Sequence, residues 1–194
     1  LRYEVIRAAT RARAGGDVID RASSDLLTVE SDIALAVATA ITGQLVPEER
    51  ARLVQPLTTD AIGYEEYLRD REQMNRSFDE TAVRSALAHF DRAIARDSSF
   101  AAAFASQADA WAGLADGYVP PREGFGYARA AAAKALALDS SQALAYATLG
   151  IAVLALDLDA HEAERLGRQA VALDPRGAQP RNGAMLVLVQ VSSM

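Results

Sequence analysis

Cysteine is absent from this 194-residue chain, lysine occurs once and histidine twice. Without cysteine there is no disulfide framework, no thiolate zinc site and no cysteine nucleophile. The net charge of −6 and a pI near 5.0 argue against a nucleic-acid surface, which needs clustered Lys and Arg. Arg7, Arg11 and Arg13 form the one local basic cluster. Long apolar runs are missing as well: Asp, Glu or Arg interrupts every candidate before the roughly 20 residues of a membrane span. Ile151 to Leu156 reads instead as a buried helix face. There is no Gly-rich phosphate loop, kinase catalytic loop or recognition helix, and no cofactor is expected.

What the chain does have is apolar content, 51% of its residues, enough for one sizeable core or a short solenoid. It also has a pattern that occurs three times. Ala86, Phe90, Ala93 and Asp97 are followed by Ala128, Ala132, Ala135 and Asp139, then by Ala163, Gly167, Ala170 and Asp174. Offsets of four, three and four put each set on one helix face, and the small members let a neighbouring backbone come close. Each acidic residue opens a helix-breaking segment, Asp97-Ser98-Ser99, Asp139-Ser140-Ser141 or Asp174-Pro175, after which a new helix is expected. The spacing predicts stacked helical hairpins.

From residue 61 the periodicity predicts helices over 62–75 and 80–95, then 101–115 and 122–138, then 142–156 and 160–173, with a last one over 179–191. The repeats fall at about 61–98, 99–140 and 141–175, with a half repeat over 176–194. In residues 1–25, Leu1, Val5, Ala8 and Ala12 fit a helix face ended by Gly15-Gly16, while the alternation of Leu1, Tyr3 and Val5 fits the preferred reading, a β-hairpin turning at Gly15-Gly16-Asp17; a helix is expected over 26–42. Pro47-Glu48-Glu49-Arg50 starts a short helix, and 46–60 serves as helix and linker. The chain neither starts with Met nor stops at a helix boundary, so both ends are expected to be cut from a longer parent.

In its third unit Tyr146, Leu149 and Gly150 precede Ala163, Gly167, Ala170, Asp174 and Pro175. This order resembles the tetratricopeptide repeat. The second unit, with Phe104, Ala108, Trp111, Ala128, Ala132 and Ala135, resembles it with Asp139-Ser140 in place of Asp-Pro; the first, with Tyr67 and Met74, departs furthest. The acidic ends are 42 and then 35 residues apart, against a standard period of about 34. Most of the surplus lies in Gly117 to Glu123.

A wider resemblance rests on Leu26 to Ala34, Pro47 to Leu53, Tyr64 to Arg69 and Pro120-Pro121-Arg122-Glu123. These segments are similar to a bacterial signalling architecture in which an α/β domain like the amino-terminal domain of TolB precedes tetratricopeptide repeats. The resemblance implies a mostly α fold, with residues 1–45 as the end of the α/β domain. It also implies an effector outside this chain: a serine/threonine kinase, a class III nucleotide cyclase or a winged-helix regulator. A secreted or periplasmic adaptor is a further reading. Arginine outnumbers lysine nineteen to one, as in high-GC bacterial genomes.

Function is expected to be non-catalytic protein binding on the concave face of the repeats. Its expected lining is Ser106, Asp109 and Gly113, then Leu144, Ala147, Ile151 and Leu154, continued by Asn182 and Leu186. Those stretches offer Ala, Leu and Asp rather than cations, which favours an apolar helix or self-association over capture of a carboxylate. Asp157, Asp159, His161, Glu162 and Glu164 have the residue types of a metal site, but they also read as a capped helix start. His89 has no nucleophile beside it. Glu65, Glu66, Asp70 and Glu72 surround Arg69 and Arg71 as on a solvated face. Tyr64, Tyr67, Phe104, Trp111 and Tyr146 are expected in the core, with Trp111 close to the Tyr118-Pro120-Pro121 segment.

Overall fold

The computed structural model describes residues 2–7, 12–18, 32–39, 56–76 and 79–175. The chain divides into two units, Leu1–Ala61 and Ile62–Met194. In the first, β1 (Arg2–Arg7) pairs antiparallel with β2 (Ala12–Val18), and residues 32–39 form the helical stretch α1. The hairpin does not turn where glycine predicts. Gly15 and Gly16 lie inside β2, opposite Val5 and Glu4, and the register slips between Val5 and Ile6. Glycine within a strand marks such a bulge as readily as a turn. Two strands and one helical stretch do not show that residues 1–45 are the end of an α/β domain.

The second unit consists, among the described residues, of six helices in three hairpins. They are α2 (Ala61–Arg76) and α3 (Glu80–Arg96), α4 (Ala101–Ala115) and α5 (Pro121–Leu138), and α6 (Ala143–Asp157) and α7 (Ala160–Leu173). Each end lies within one residue of the span expected from periodicity, because caps mark most of the boundaries. Asp79 and Asp159 accept from the amides of Ala82 and Glu162 at the starts of α3 and α7. Pro121 takes the first position of α5. Asp97 and Asp139 leave the helix in extended conformation, and the amides of Asp97, Asp139 and Asp174 donate back to Ala93, Ala135 and Ala170.

Those aspartates carry the next turn too. The Asp97 and Asp139 carboxylates accept from the amides of Ser99 and Ser141, both at 2.8 Å, and from the same residues' hydroxyls. Burial opposes the charge on Asp139. The Ser141 hydroxyl and amide and the Gln142 side chain outweigh it and hold the pKa below the ordinary carboxylate value. The two Asp-x-Ser turns therefore stop one hairpin and aim the next.

The small-residue seam is buried at every position: Ala86, Phe90 and Ala93, Ala128, Ala132 and Ala135, and Ala163, Gly167 and Ala170. Two kinds of joint follow from what faces it. The first repeat closes on aromatics, with Tyr67 6.1 Å from Phe90 and 5.0 Å from Phe100 between ring centroids. The second and third close on alanine, where Ala105, Ala108, Ala131, Ala132, Ala135 and Ala145 form a cluster flanked by Phe104, Leu136, Leu144 and Leu149. Helix α4 thereby packs on α3, α5 and α6 together.

The enlarged turn of the second repeat also depends on a close approach. A Cβ at Gly124 would lie 2.7 Å from Ala115 Cβ and 2.8 Å from Val119 Cγ2, whereas one at Gly126 would meet nothing within 4 Å. Gly124→Ala is expected to destabilise by about 1–3 kcal/mol through overpacking. Gly126→Ala is expected to stabilise by about 1 kcal/mol through helix propensity. Urea unfolding of the two variants checks both signs.

Candidate functional site

Contacts on three sides of α4 define which of its residues are left for a partner. Toward α5, Trp111 meets Tyr127 in a tilted ring contact with centroids 4.6 Å apart, and Lys134 Nζ lies 6.0 Å from the Phe104 ring centroid. Ala105 and Ala108 join the alanine cluster shared with α5 and α6. Gln107 donates to Asp91 of α3 at 2.6 Å. With 100° between successive residues, Ala102, Ser106, Asp109 and Gly113 occupy an arc that belongs to none of these contacts.

Helices α4 and α6 begin 42 residues apart, so the same register on α6 holds Leu144, Thr148, Ile151 and Ala155. Two neighbouring first helices thus present matching arcs. Their floor is made of small side chains, since Ala102, Ser106 and Thr148 are buried. Asp109, Gly113 and Ile151 are half-buried, and Ala155 is exposed. This strip of small side chains, the α4–α6 groove, carries one ionisable group among the described residues, Asp109.

Not every residue expected on the concave face offers surface. Ala147 is buried against Ala170, and Leu154 against Ala163. Leu144 packs into the alanine cluster between the second and third repeats. Ala147 and Leu154 lie beside the arc, on the side of α6 that meets α7, whereas Leu144 stands at the register of Ala102 and is half-buried. Asn182 and Leu186 lie outside the described residues.

Asp109 is the unusual member. Burial alone pushes its pKa up to about 6, and no hydrogen bond or charge within the described structure opposes that effect. The acids of the third turn behave differently. Asp157 meets Arg129 at 2.5 Å, Asp159 caps α7, and Glu162 and Glu164 pair with Arg165 and Arg168. Among the described residues no group of three or more His, Asp or Glu is placed to hold a metal ion.

His89 lies in a cluster that sequence reasoning missed. Its Nδ1 contacts Glu66 of α2, and Arg92 Nε donates to the same carboxylate oxygen at 3.0 Å. The His89 contact does most to lower the Glu66 pKa; burial opposes it and Arg92 adds to it. The cluster ties α2 to α3 and holds no nucleophile. Trp111 has Tyr127 of α5 as its described ring partner.

No family model matches the chain, and no curated protein matches it. Solved structures do. The first TPR domain of human RPAP3 is 18% identical, with a TM-score of 0.52 over 68% of this chain and 91% of that one. The Arabidopsis OM64 TPR domain is 21% identical, with a TM-score of 0.50 over 68% and 98%. The helical hairpins have the tetratricopeptide-repeat fold. The second TPR domain of human RPAP3, solved with the HSP70 peptide SGPTIEEVD, is 22% identical with a TM-score of 0.48 over 67% and 98%. No described helix of this tetratricopeptide array is long and apolar enough to cross a membrane.

Proposed function

We propose that the tetratricopeptide array is a non-catalytic protein-binding module whose α4–α6 groove takes an extended peptide or a helix. The arc of Ala102, Ser106, Asp109 and Gly113, aligned with Ile151 and Ala155, carries this reading. It lies on paired first helices and takes no part in the α3, α5 or α6 contacts described above. A rigid scaffold of hairpins with a floor of small side chains admits a ligand backbone closely.

Ile151→Glu tests the groove without removing a fully buried side chain. Peptides selected from a displayed random library on the native chain should bind this variant at least about tenfold more weakly, a difference of about 1.4 kcal/mol. Circular dichroism should stay close to that of the native chain, while the melting midpoint falls modestly because Ile151 also packs against Leu154 and Ala163. Undiminished affinity would remove the groove from consideration.

Beyond the fold, the array is the sensory or scaffolding part of a bacterial signalling protein. Residues 1–45 are then the end of a TolB-like α/β domain, and any catalytic activity belongs to a domain outside this chain. Supporting this are the segments Leu26 to Ala34 and Pro120 to Glu123, together with the enlarged turn of the second repeat. The coding sequence around this chain tests it: a kinase, cyclase or winged-helix domain in the same reading frame is expected.

A further inference from the structure

We infer that the groove selects partners carrying a lysine or arginine side chain, received by Asp109. This rests on the groove reading above and adds a ligand chemistry to it. Ser106 lies three residues before Asp109 and Gly113 four after, so the positions one turn away on the same face are small. No long side chain on that face of α4 covers the carboxyl.

Described charges that α3 and α5 bring to the other faces of the array have partners of their own. Asp91 accepts from Gln107, Lys134 lies over Phe104, and Arg129 pairs with Asp157. Among the described residues no opposing charge or donor meets Asp109, and burial is what raises its pKa, so at neutral pH most of its carboxylate is ionised and uncompensated. A half-buried carboxylate in that state gains more from an incoming cation than an exposed one, because little water is left to screen the pair. At the equivalent register of α6, Ile151 offers an apolar contact. The partner segment is therefore basic at one position and apolar at a neighbouring one.

The groove's charge also says what it rejects. A ligand that presents a carboxylate at this point meets Asp109 directly, and like charges at close range disfavour binding. The two expectations are opposite in sign, which makes them separable with one set of peptides.

A random dodecapeptide library displayed on phage and selected on the whole chain provides the probes, and fluorescence anisotropy with synthetic peptides measures affinity. Selected sequences should carry Lys or Arg at one fixed position. Asp109→Asn should weaken them about tenfold, and changing that Lys or Arg to Gln should weaken binding to the native chain about equally. The peptide change should cost little more in the Asp109→Asn chain, because the interaction is already gone. If Ile151→Glu abolishes binding while Asp109→Asn leaves it unchanged, the groove stands and the cation inference falls. If no peptide is selected, or neither variant alters affinity, both fall.

Discussion

Replacing Phe100 with alanine is expected to lower the unfolding free energy by about 3–5 kcal/mol, the range for removing a buried Phe ring. Phe100 is fully buried, with its ring centroid 5.0 Å from that of Tyr67 and 6.5 Å from that of Tyr64. It also stands immediately before α4, where its carbonyl accepts from Ala103 and Phe104. One ring thus joins the aromatic core of the first repeat to the start of the second. Stability in such arrays is roughly a sum of repeat and nearest-neighbour terms, so the loss should concentrate at this joint. Hydrogen exchange should show α2 and α3 losing protection ahead of α6 and α7. A loss below about 1 kcal/mol, outside the range for a buried ring, would mean that the aromatic cluster does not hold the first hairpin to the array.

The second large effect is a pH dependence confined to one carboxyl. Raising Asp109 from its ordinary 3.8 to about 6 penalises the ionised form by about 3 kcal/mol. Solvent reaches part of this side chain, which reduces the expected effect to about 1–3 kcal/mol. Below the unfolded value both states hold the proton and nothing is lost. As pH rises from about 4 to above 6, the folded state binds the proton longer than the unfolded one, so native stability falls relative to a neutral side chain. Asp109→Asn should therefore match the native chain near pH 3.5 and exceed it by about 1–3 kcal/mol above pH 7. Urea unfolding at a series of pH values measures this difference directly. A gap that does not change with pH would show that the carboxyl titrates normally.

The same substitution is expected to stabilise the chain and to weaken its ligands. That opposition is the signature of a group held at a cost for binding rather than for folding. A carboxylate placed only for structure would show the reverse, with loss of stability on removal.

How much of this was legible depends on where each residue sits. The seam and the helix ends were readable because Ala86, Phe90 and Ala93 and their two copies repeat at helical offsets, and because Asp97, Asp139 and Asp174 punctuate them. Phe100 was missed because it stands in the turn between repeats, where no periodicity marks a residue as buried. The Glu66, His89 and Arg92 cluster was missed for a different reason: its members lie on two helices, and only the packing of α2 on α3 brings them together.

The expected lining of the groove divides by register. Ser106, Asp109, Gly113 and Ile151 share one register, which spacing shows. Ala147 and Leu154 are offset from that register by a fraction of a turn, enough to turn them toward Ala170 and Ala163 of α7. Sequence also placed the turn of the first hairpin at Gly15-Gly16, where the strand instead continues through a register slip. Glycine alone does not distinguish the two.

The groove itself is most directly tested by amide chemical-shift mapping of the native chain with a selected peptide. The largest perturbations should fall on residues 102–113 of α4 and 148–155 of α6, centred on Asp109 and Ile151. Perturbations confined to the outer faces of α5 and α7, with those two stretches unchanged, would contradict it.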